Sequence, residues 1–288
     1  MDTKYLAREA LILHTKNPAN LQKSHGGVSR NIAENLANLG VNCSFFTSVG
    51  DDENGREIIQ HLIDIGVEVV PSYINDLPTP NYAAIINHDG SLMLALSNMD
   101  CADAYSPQFI AKNIDQAAKN SYWFCCSGLP EESVTWLAQN KPDHVKLLSV
   151  SASVPKVKRV KTALPNLFLL VLNSDELQAL ADFDCSSPEF LQRAAKKIID
   201  QGTQNLIVTV GEQGAYWATV HHFEHIPTIK LNEADVVDVT GAGDAFASGV
   251  IAALLNDQTI REGIELGHQL AKPTLLTTST VLPREKTV

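Results

Sequence analysis

Short apolar runs alternate with amphipathic segments along most of the 288 residues, and that alternation predicts an α/β fold. The expected architecture is a doubly wound, mostly parallel sheet covered by helices on both faces. Two further observations shape it. One segment carries a hairpin signal with no intervening helix, which predicts a small β appendage. No linker rich in Pro, Gly or Ser interrupts the chain, so residues 1–288 read as a single domain.

The strand candidates are residues 43–49, 67–73, 122–127, 146–150, 167–172 and 205–210, each a short apolar run. Helix candidates lie between most of them. Residues 29–39 place Ile32, Leu36 and Leu39 on one face, and Gly40 follows as a stop. Residues 54–65 repeat the design with Ile58, Leu62 and Ile65 before Gly66. Residues 106–119, 130–139 and 188–200 each begin near a Ser or Pro, as helices often do. Residues 81–98 hold two strand-like runs around Asp89-Gly90. Residues 14–25 are polar, contain Asn17-Pro18 and read as irregular.

Composition excludes several function classes. Lys and Arg total 22 against 33 Asp and Glu, for a net charge of −11. Such a chain is repelled by a phosphate backbone and by an anionic membrane, so nucleic acid and lipid are set aside as main partners. No apolar run approaches the ~18 residues needed to span a bilayer, and the first residues lack a signal-peptide core. The five cysteines are Cys43, Cys101, Cys125, Cys126 and Cys185. Their spacing fits no zinc or disulfide framework. Adjacent Cys125 and Cys126 in an apolar run read as buried thiols, which predicts a reducing, cytoplasmic setting.

Four segments carry chemistry. Residues 236–255 enter a glycine turn and leave it as a helix. Gly241, Ala242 and Gly243 allow close approach of a ligand to amides at a helix start, where donors lack partners and negative charge is favoured. Asp244 follows, placed to take a proton from a hydroxyl nucleophile. A plain helix-start role is the lesser of the two readings of the same Asp. Residues 24–40 repeat this grammar: Gly26 and Gly27 precede a helix whose first turn carries Asn31, which can both donate to and accept from sugar hydroxyls. An ordinary loop-to-helix turn is the plainer reading. Asn173 and Glu176 follow the strand at 167–172, at the strand end where ligands of parallel sheets gather. They read either as magnesium organisers, acting a shell away from the ion, or as a solvated helix start. Thr209, Gly211 and Gly214 follow the strand at 205–210 and read as nucleotide phosphate contacts or as a plain turn. Trp123 and Trp136 read as core, and His221, His222 and His225 as a surface loop.

The order of these motifs resembles the PfkB (ribokinase-like) family of sugar and nucleoside kinases, from about residue 11 to the end of the chain. The resemblance implies ATP-dependent phosphorylation of a hydroxyl group. Asp244 would be the base, and the amides of Gly241, Ala242 and Gly243 the anion hole. Asn173 and Glu176 would organise Mg2+, and Thr209, Gly211, Gly214 and Asn173 would lie along ATP. Gly26, Gly27 and Asn31 would hold the ribose, and a monovalent cation such as K+ accompanies such sites. The resemblance also implies a β lid over the sugar, from about residues 8–25 and 72–99, through which two copies pair as a homodimer. Within the family, residues 17–18, 26–40 and 97–100 are similar to the branch that phosphorylates the 5′-hydroxyl of pseudouridine. This adds Asn17 and Asn98 to the substrate side. A kinase for another nucleoside or ribose-like sugar, or a non-catalytic binder, are the alternatives.

Three departures from the family pattern stand out. The family opens with an apolar strand ending in a sugar-binding Asp. Here Asp2 stands near the start, so the first strand is expected to be missing and Asp2 to end its turn. An Asp-Thr pair before the glycine turn is Asp238-Val239 here, and residues 149–156 lack an acid that the branch often carries.

Overall fold

The computed structural model describes residues 1–232 and 235–283. Strands β1 (Asp2–Ala7) and β2 (Ala19–Ser24) form an antiparallel pair that leads into α1 (Val28–Asn38). Next comes a βαβ unit of β3 (Ser44–Gly50), α2 (Glu53–Asp64) and β4 (Glu68–Ile74), whose strands pair in parallel. Strands β5 (Asn81–Ile86) and β6 (Leu92–Asn98) make the expected hairpin around Asp89-Gly90. Because β5 also lies parallel to β1, the four strands form one sheet in the order β2-β1-β5-β6.

The second half begins after the short helices α3 (Asp100–Asp103), α4 (Pro107–Lys112) and α5 (Ile114–Ala117). It runs β7 (Tyr122–Cys126), α6 (Glu131–Asn140), β8 (Lys146–Val150), β9 (Leu167–Asn173), α7 (Ser174–Ala181), α8 (Pro188–Ile199) and β10 (Asn205–Thr209). Then follow β11 (Ala215–Ala218), β12 (Phe223–Ile226), α9 (Ala242–Leu255) and α10 (Ile260–Leu275). These strands form a six-stranded sheet, β12-β11-β10-β9-β8-β7, parallel from β7 to β10 and antiparallel beyond.

Side-chain alternation explains why helices cover both faces of this sheet. In β9, Leu170 and Leu172 join a core with Val134 of α6, Leu177 of α7 and Ile198 of α8. Leu169 and Val171 point the other way, to Ile32 of α1, Val250 of α9 and Ile264 of α10. A strand apolar on both faces belongs in the middle of a doubly covered sheet. The parallel strands therefore fall into the six-stranded sheet and the separate β3–β4 pair.

The structure corrects several local expectations. Residues 106–119 form two helices, because Asn113 ends α4 by donating its side-chain amide to the Phe109 carbonyl at 2.8 Å. Residues 19–24, expected to be irregular, form β2, held by six register pairs with β1. Trp123 is buried as expected, whereas Trp136 sits half-buried on α6. His225 lies in β12 rather than in a loop and contacts the Gln213 carbonyl at 2.7 Å.

Candidate active site

The glycine turn before α9 is built by sterics. Gly241 has φ 84°, the left-handed region, and a Cβ there would run into the Thr280 backbone. The first helical bond runs from Ala245 N–H to the Gly241 carbonyl at 2.9 Å. The amides of Gly243 and Asp244 therefore have no acceptor inside the helix. A Cβ at Gly243 would meet nothing within 4 Å, so these donors stand at an open helix N-terminus where negative charge is favoured.

Asp244 lies in the first turn of α9, only partly exposed, and burial pushes its carboxyl up to about 6. A hydrogen bond from Asn31 and the charge of Arg30 oppose that rise. Asn31 donates its Nδ2 to Asp244 Oδ2 at 2.6 Å. Its other amide atom, Oδ1, accepts from the Arg30 guanidinium, which fixes the orientation of the amide. Arg30 is 5% exposed and spends its remaining donors on Glu34 and on the carbonyls of His25 and Gly26. Glu34 in turn faces His61 Nε2 at 3.1 Å. Burial lowers the guanidinium pKa, and the Glu34 carboxylate opposes this.

Asp2 enters from β1. Its carboxylate lies against Gly26, where any Cβ would clash with it. Burial raises the Asp2 pKa, opposed by the Met1 α-ammonium, Arg30 and Lys4. Gly27, at φ 98°, caps α1 and sends the chain to Arg30 and Asn31. Two strand positions beyond Asp2, Lys4 reaches Asp238 at 2.7 Å and ties β1 to the glycine turn. Asp238 also accepts from the amide and hydroxyl of Thr240 at 2.9 and 2.6 Å.

A second group lies at the carboxyl ends of β9 and β10, where Asn173 stands opposite Thr209 in register. Asn173 caps α7 by accepting from the Glu176 amide at 2.9 Å, and its own N–H donates to Glu176 Oε2 at 2.9 Å. This reciprocal box satisfies two helix-start donors. Burial raises the Glu176 pKa, and the Asn173 N–H and the Ser151 hydroxyl oppose it. Gly211 has φ 58° with open space where a side chain would go, whereas a Cβ at Gly214 would strike the Ile226 carbonyl. Gly214 is thus required by the approach of the strand, and Gly211 leaves room for a ligand. Among the described residues no group of three or more His, Cys, Asp or Glu is arranged to hold a metal ion. Asn173 and Glu176 suit instead a cation that arrives on phosphates and keeps most of its waters.

The structure therefore brings Asp2, Gly26, Gly27, Asn31 and Asp244 together beside the 241–243 turn, and Asn173, Glu176 and Thr209 together at neighbouring strand ends. Asn17 and Asn98 use their side chains locally. Asn17 closes its own loop on Ile12 and Thr15, and Asn98, exposed at the end of β6, accepts from the Asp100 amide at 3.2 Å. Sequence reading missed Arg30, Glu34 and Lys4 as site residues. The four-residue spacing of Arg30 and Glu34 on a helix was the available signal.

The pfkB family carbohydrate kinase model matches residues 7–287. The chain is 25% identical over 272 residues to the pseudouridine kinase of Escherichia coli K12, covering 93% of this chain and 85% of that protein. It is 27% identical over 278 residues to the adenosine kinase of Saccharomyces cerevisiae, covering 91% and 80% respectively. A carbohydrate kinase from Agrobacterium tumefaciens superposes with a TM-score of 0.82 at 27% identity, covering 97% of this chain and 89% of that one. Arabidopsis thaliana ribokinase, solved with ribose and ATP, has the same fold, with a TM-score of 0.85 at 19% identity over 98% of this chain and 93% of its own. A buried carboxylate beside an open amide turn, on this fold and with a family match over nearly the whole length, leads to one conclusion: the chain belongs to the pfkB family of carbohydrate kinases and is a sugar or nucleoside kinase.

Proposed function

We propose that the chain transfers the γ-phosphoryl group of ATP to the 5′-hydroxyl of pseudouridine, giving pseudouridine 5′-phosphate and ADP. The observation that carries the reading is the Arg30–Asn31–Asp244 relay beside the 241–243 turn. With its pKa near 6, Asp244 is ionised at neutral pH yet basic enough to accept the acceptor's proton. As the hydroxyl oxygen bonds to the γ-phosphorus, the bond to the bridging oxygen breaks and ADP leaves with that electron pair. The proton passes to Asp244. The amides at Gly243 and Asp244 hold the charge on the transferring group, which is most of what phosphoryl transfer asks of a protein. Mg2+ would supply charge neutralisation on the phosphates, with Asn173 and Glu176 holding its waters. Thr209 and Gly211 would lie along the nucleotide.

On the acceptor side, Asp2, Gly26, Gly27 and Asn31 would bind the ribose hydroxyls, with the four-stranded sheet as the lid. The contacts Asp2–Gly26 and Lys4–Asp238 support this role for β1. The choice of pseudouridine rests on the likeness to the Escherichia coli pseudouridine kinase. Lid-to-lid pairing into a homodimer is part of the proposal. So is a reducing, cytoplasmic setting, supported by the unpaired cysteines, among them Cys125, which burial pushes up to about 12.

The test is ADP release with magnesium-ATP and pseudouridine, uridine, adenosine, ribose or no acceptor. Turnover confined to pseudouridine is the expected result. Turnover confined to adenosine or ribose would keep the chemistry and discard the substrate. A rate equal to the no-acceptor rate with every compound, with nucleotide still bound, would favour a binder.

A further inference from the structure

Helix α1 places two opposite charges, one turn apart, inside the protein. Arg30 and Glu34 are 5% and 7% exposed, and the Arg30 guanidinium donates to Glu34 Oε2. Such a pair contributes little to stability, because the cost of taking both charges out of water offsets their attraction. Glu34 has no part in the transfer described above, so its burial calls for another reason.

Arg30 supplies that reason. It donates to Glu34, to Asn31 Oδ1 and to the carbonyls of His25 and Gly26. Among the described residues it makes no hydrogen bond to Asp244 or Asp2, although both carboxylates lie within reach of its charge. Only the Asn31 amide stands between the guanidinium and Asp244. It accepts from Arg30 at Oδ1 and donates to Asp244 from Nδ2 at 2.6 Å. A buried guanidinium and a buried carboxylate that close are drawn toward a direct, two-pronged ion pair. Such a pair would hold Asp244 in its ionised form and make it a poor proton acceptor.

Glu34 is the competing anion. It takes Nη1 of Arg30 and leaves Nη2 to the Asn31 amide and the His25 carbonyl. Its other oxygen, Oε1, faces His61 Nε2 of α2 at 3.1 Å, so both ends of the carboxylate are engaged. The His61 ring packs edge-on against His25, with centroids 4.8 Å apart, and His25 faces Glu57 at 3.1 Å. Burial lowers the His25 pKa and Glu57 opposes it, so His25 adds no positive charge to this row at neutral pH. On the side of β1, Asp2 also faces Arg30, and Lys4 beside it is engaged by Asp238.

With Asp244 read as the base, we propose that Glu34 is a positioning residue for the transfer: it engages the Arg30 guanidinium and keeps it off Asp244, which then meets the neutral Asn31 amide and remains able to take the hydroxyl proton.

The test reads Asp244 itself, without turnover. NMR follows its carboxyl carbon against pH in the full chain carrying isotope-labelled aspartate, and the signal is identified by its loss in Asp244→Asn. That signal keeps the imidazoles of His25 and His61 out of the measurement. The parent midpoint should lie at about 6. Glu34→Gln keeps the size of the side chain and an oxygen for Arg30 but removes the competing charge. Its midpoint should fall by about one unit or more, and the acid limb of kcat/KM should move down with it. Glu34→Asp keeps the charge, and with it the fold should Glu34→Gln fail to fold, but draws the carboxylate back. Its midpoint should fall in the same direction by less. Arg30→Met combined with Glu34→Gln removes both charges and should return the midpoint to the parent value or above. An unmoved midpoint in Glu34→Asp and in folded Glu34→Gln overturns the proposal, whatever happens to the Tm, because the role of Glu34 is then structural. A midpoint that stays low in the double variant overturns it as well, since Arg30 is then not the agent. Full turnover in Asp244→Asn would overturn the base itself, and with it any part for Glu34 in the transfer.

Discussion

At Asp244, one carboxylate has to be both buried and ionised. Burial raises its pKa to about 6 from an ordinary 3.8, and Asn31 and Arg30 pull the other way. A carboxyl whose pKa is higher in the folded chain binds more protons folded than unfolded. Folding stability is therefore greatest below the unfolded value and falls as pH rises from 3.8 through about 6. Above that range the full cost of holding the charge is present. Asp244→Asn removes the charge and the base together. It should lower turnover about 10²–10⁴-fold while the Tm at pH 7.5 holds or rises. A Tm well below that of the parent chain would show that Asp244 serves the fold instead. In the parent chain, kcat/KM should decline as pH falls through about 6. Asn31→Ala deletes the hydrogen bond that favours the ionised form, so the acid limb should move to higher pH. An unmoved limb would mean that Asn31 does not set the basicity of Asp244. Asp244 and Asn31 were both legible in the sequence as separate helix-start residues. Their bond was not, because it joins positions 213 residues apart.

The element that carries the chemistry is the start of α9, where two glycines look alike in sequence and differ in space. Gly241 needs its left-handed backbone and has Thr280 where a side chain would be. Gly243 has neither constraint. Gly241→Ala should cost about 1–3 kcal/mol of stability from backbone strain, read by urea melts. Gly243→Ala adds a good helix former in the first turn and should leave the Tm unchanged or higher. Its methyl group intrudes where the transferring group would sit, so its kcat should drop at least as far as that of Gly241→Ala. Equal activity of Gly243→Ala and the parent chain would remove the 241–243 turn from the reaction. Elements as such were largely readable. Strands such as β8 and helices such as α2 announce themselves through local periodicity, which is a property of neighbouring residues. What escaped was set by distant partners. Asn113 breaks a helix that looks continuous, and β2 is a polar strand that exists because β1 lies beside it. The pair Asn173 and Glu176 was ambiguous for another reason: one capping geometry serves both a helix start and a ligand end.

On the scale of the whole molecule, the four-stranded sheet has two unlike faces. Asp2 and Lys4 of β1 point to Gly26 and Asp238, so that face belongs to the site. Tyr5 lies on the other face, and the register puts it in one row with Leu21 of β2, Ile85 of β5 and Leu94 of β6. Leu21, Tyr5 and Leu94 are 56%, 45% and 48% exposed, and β6 is exposed along its length, its outer edge without a partner strand among the described residues. A contiguous apolar row on a sheet that ends in an open edge is what partner surfaces look like, and left bare it invites aggregation. The proposed lid-to-lid homodimer would cover it. Leu94→Glu sets a charge in the middle of that row, on a side chain already half in solvent, so the monomer's own fold should be little changed. Sedimentation at micromolar concentration should give twice the chain mass for the parent protein and a single chain mass for Leu94→Glu, with nearly the same Tm for the folded unit. A parent chain that sediments as one copy across that range would refute pairing through this face. A variant that stays dimeric would move the interface elsewhere, because no stable apolar interface buries an unpaired carboxylate at its centre.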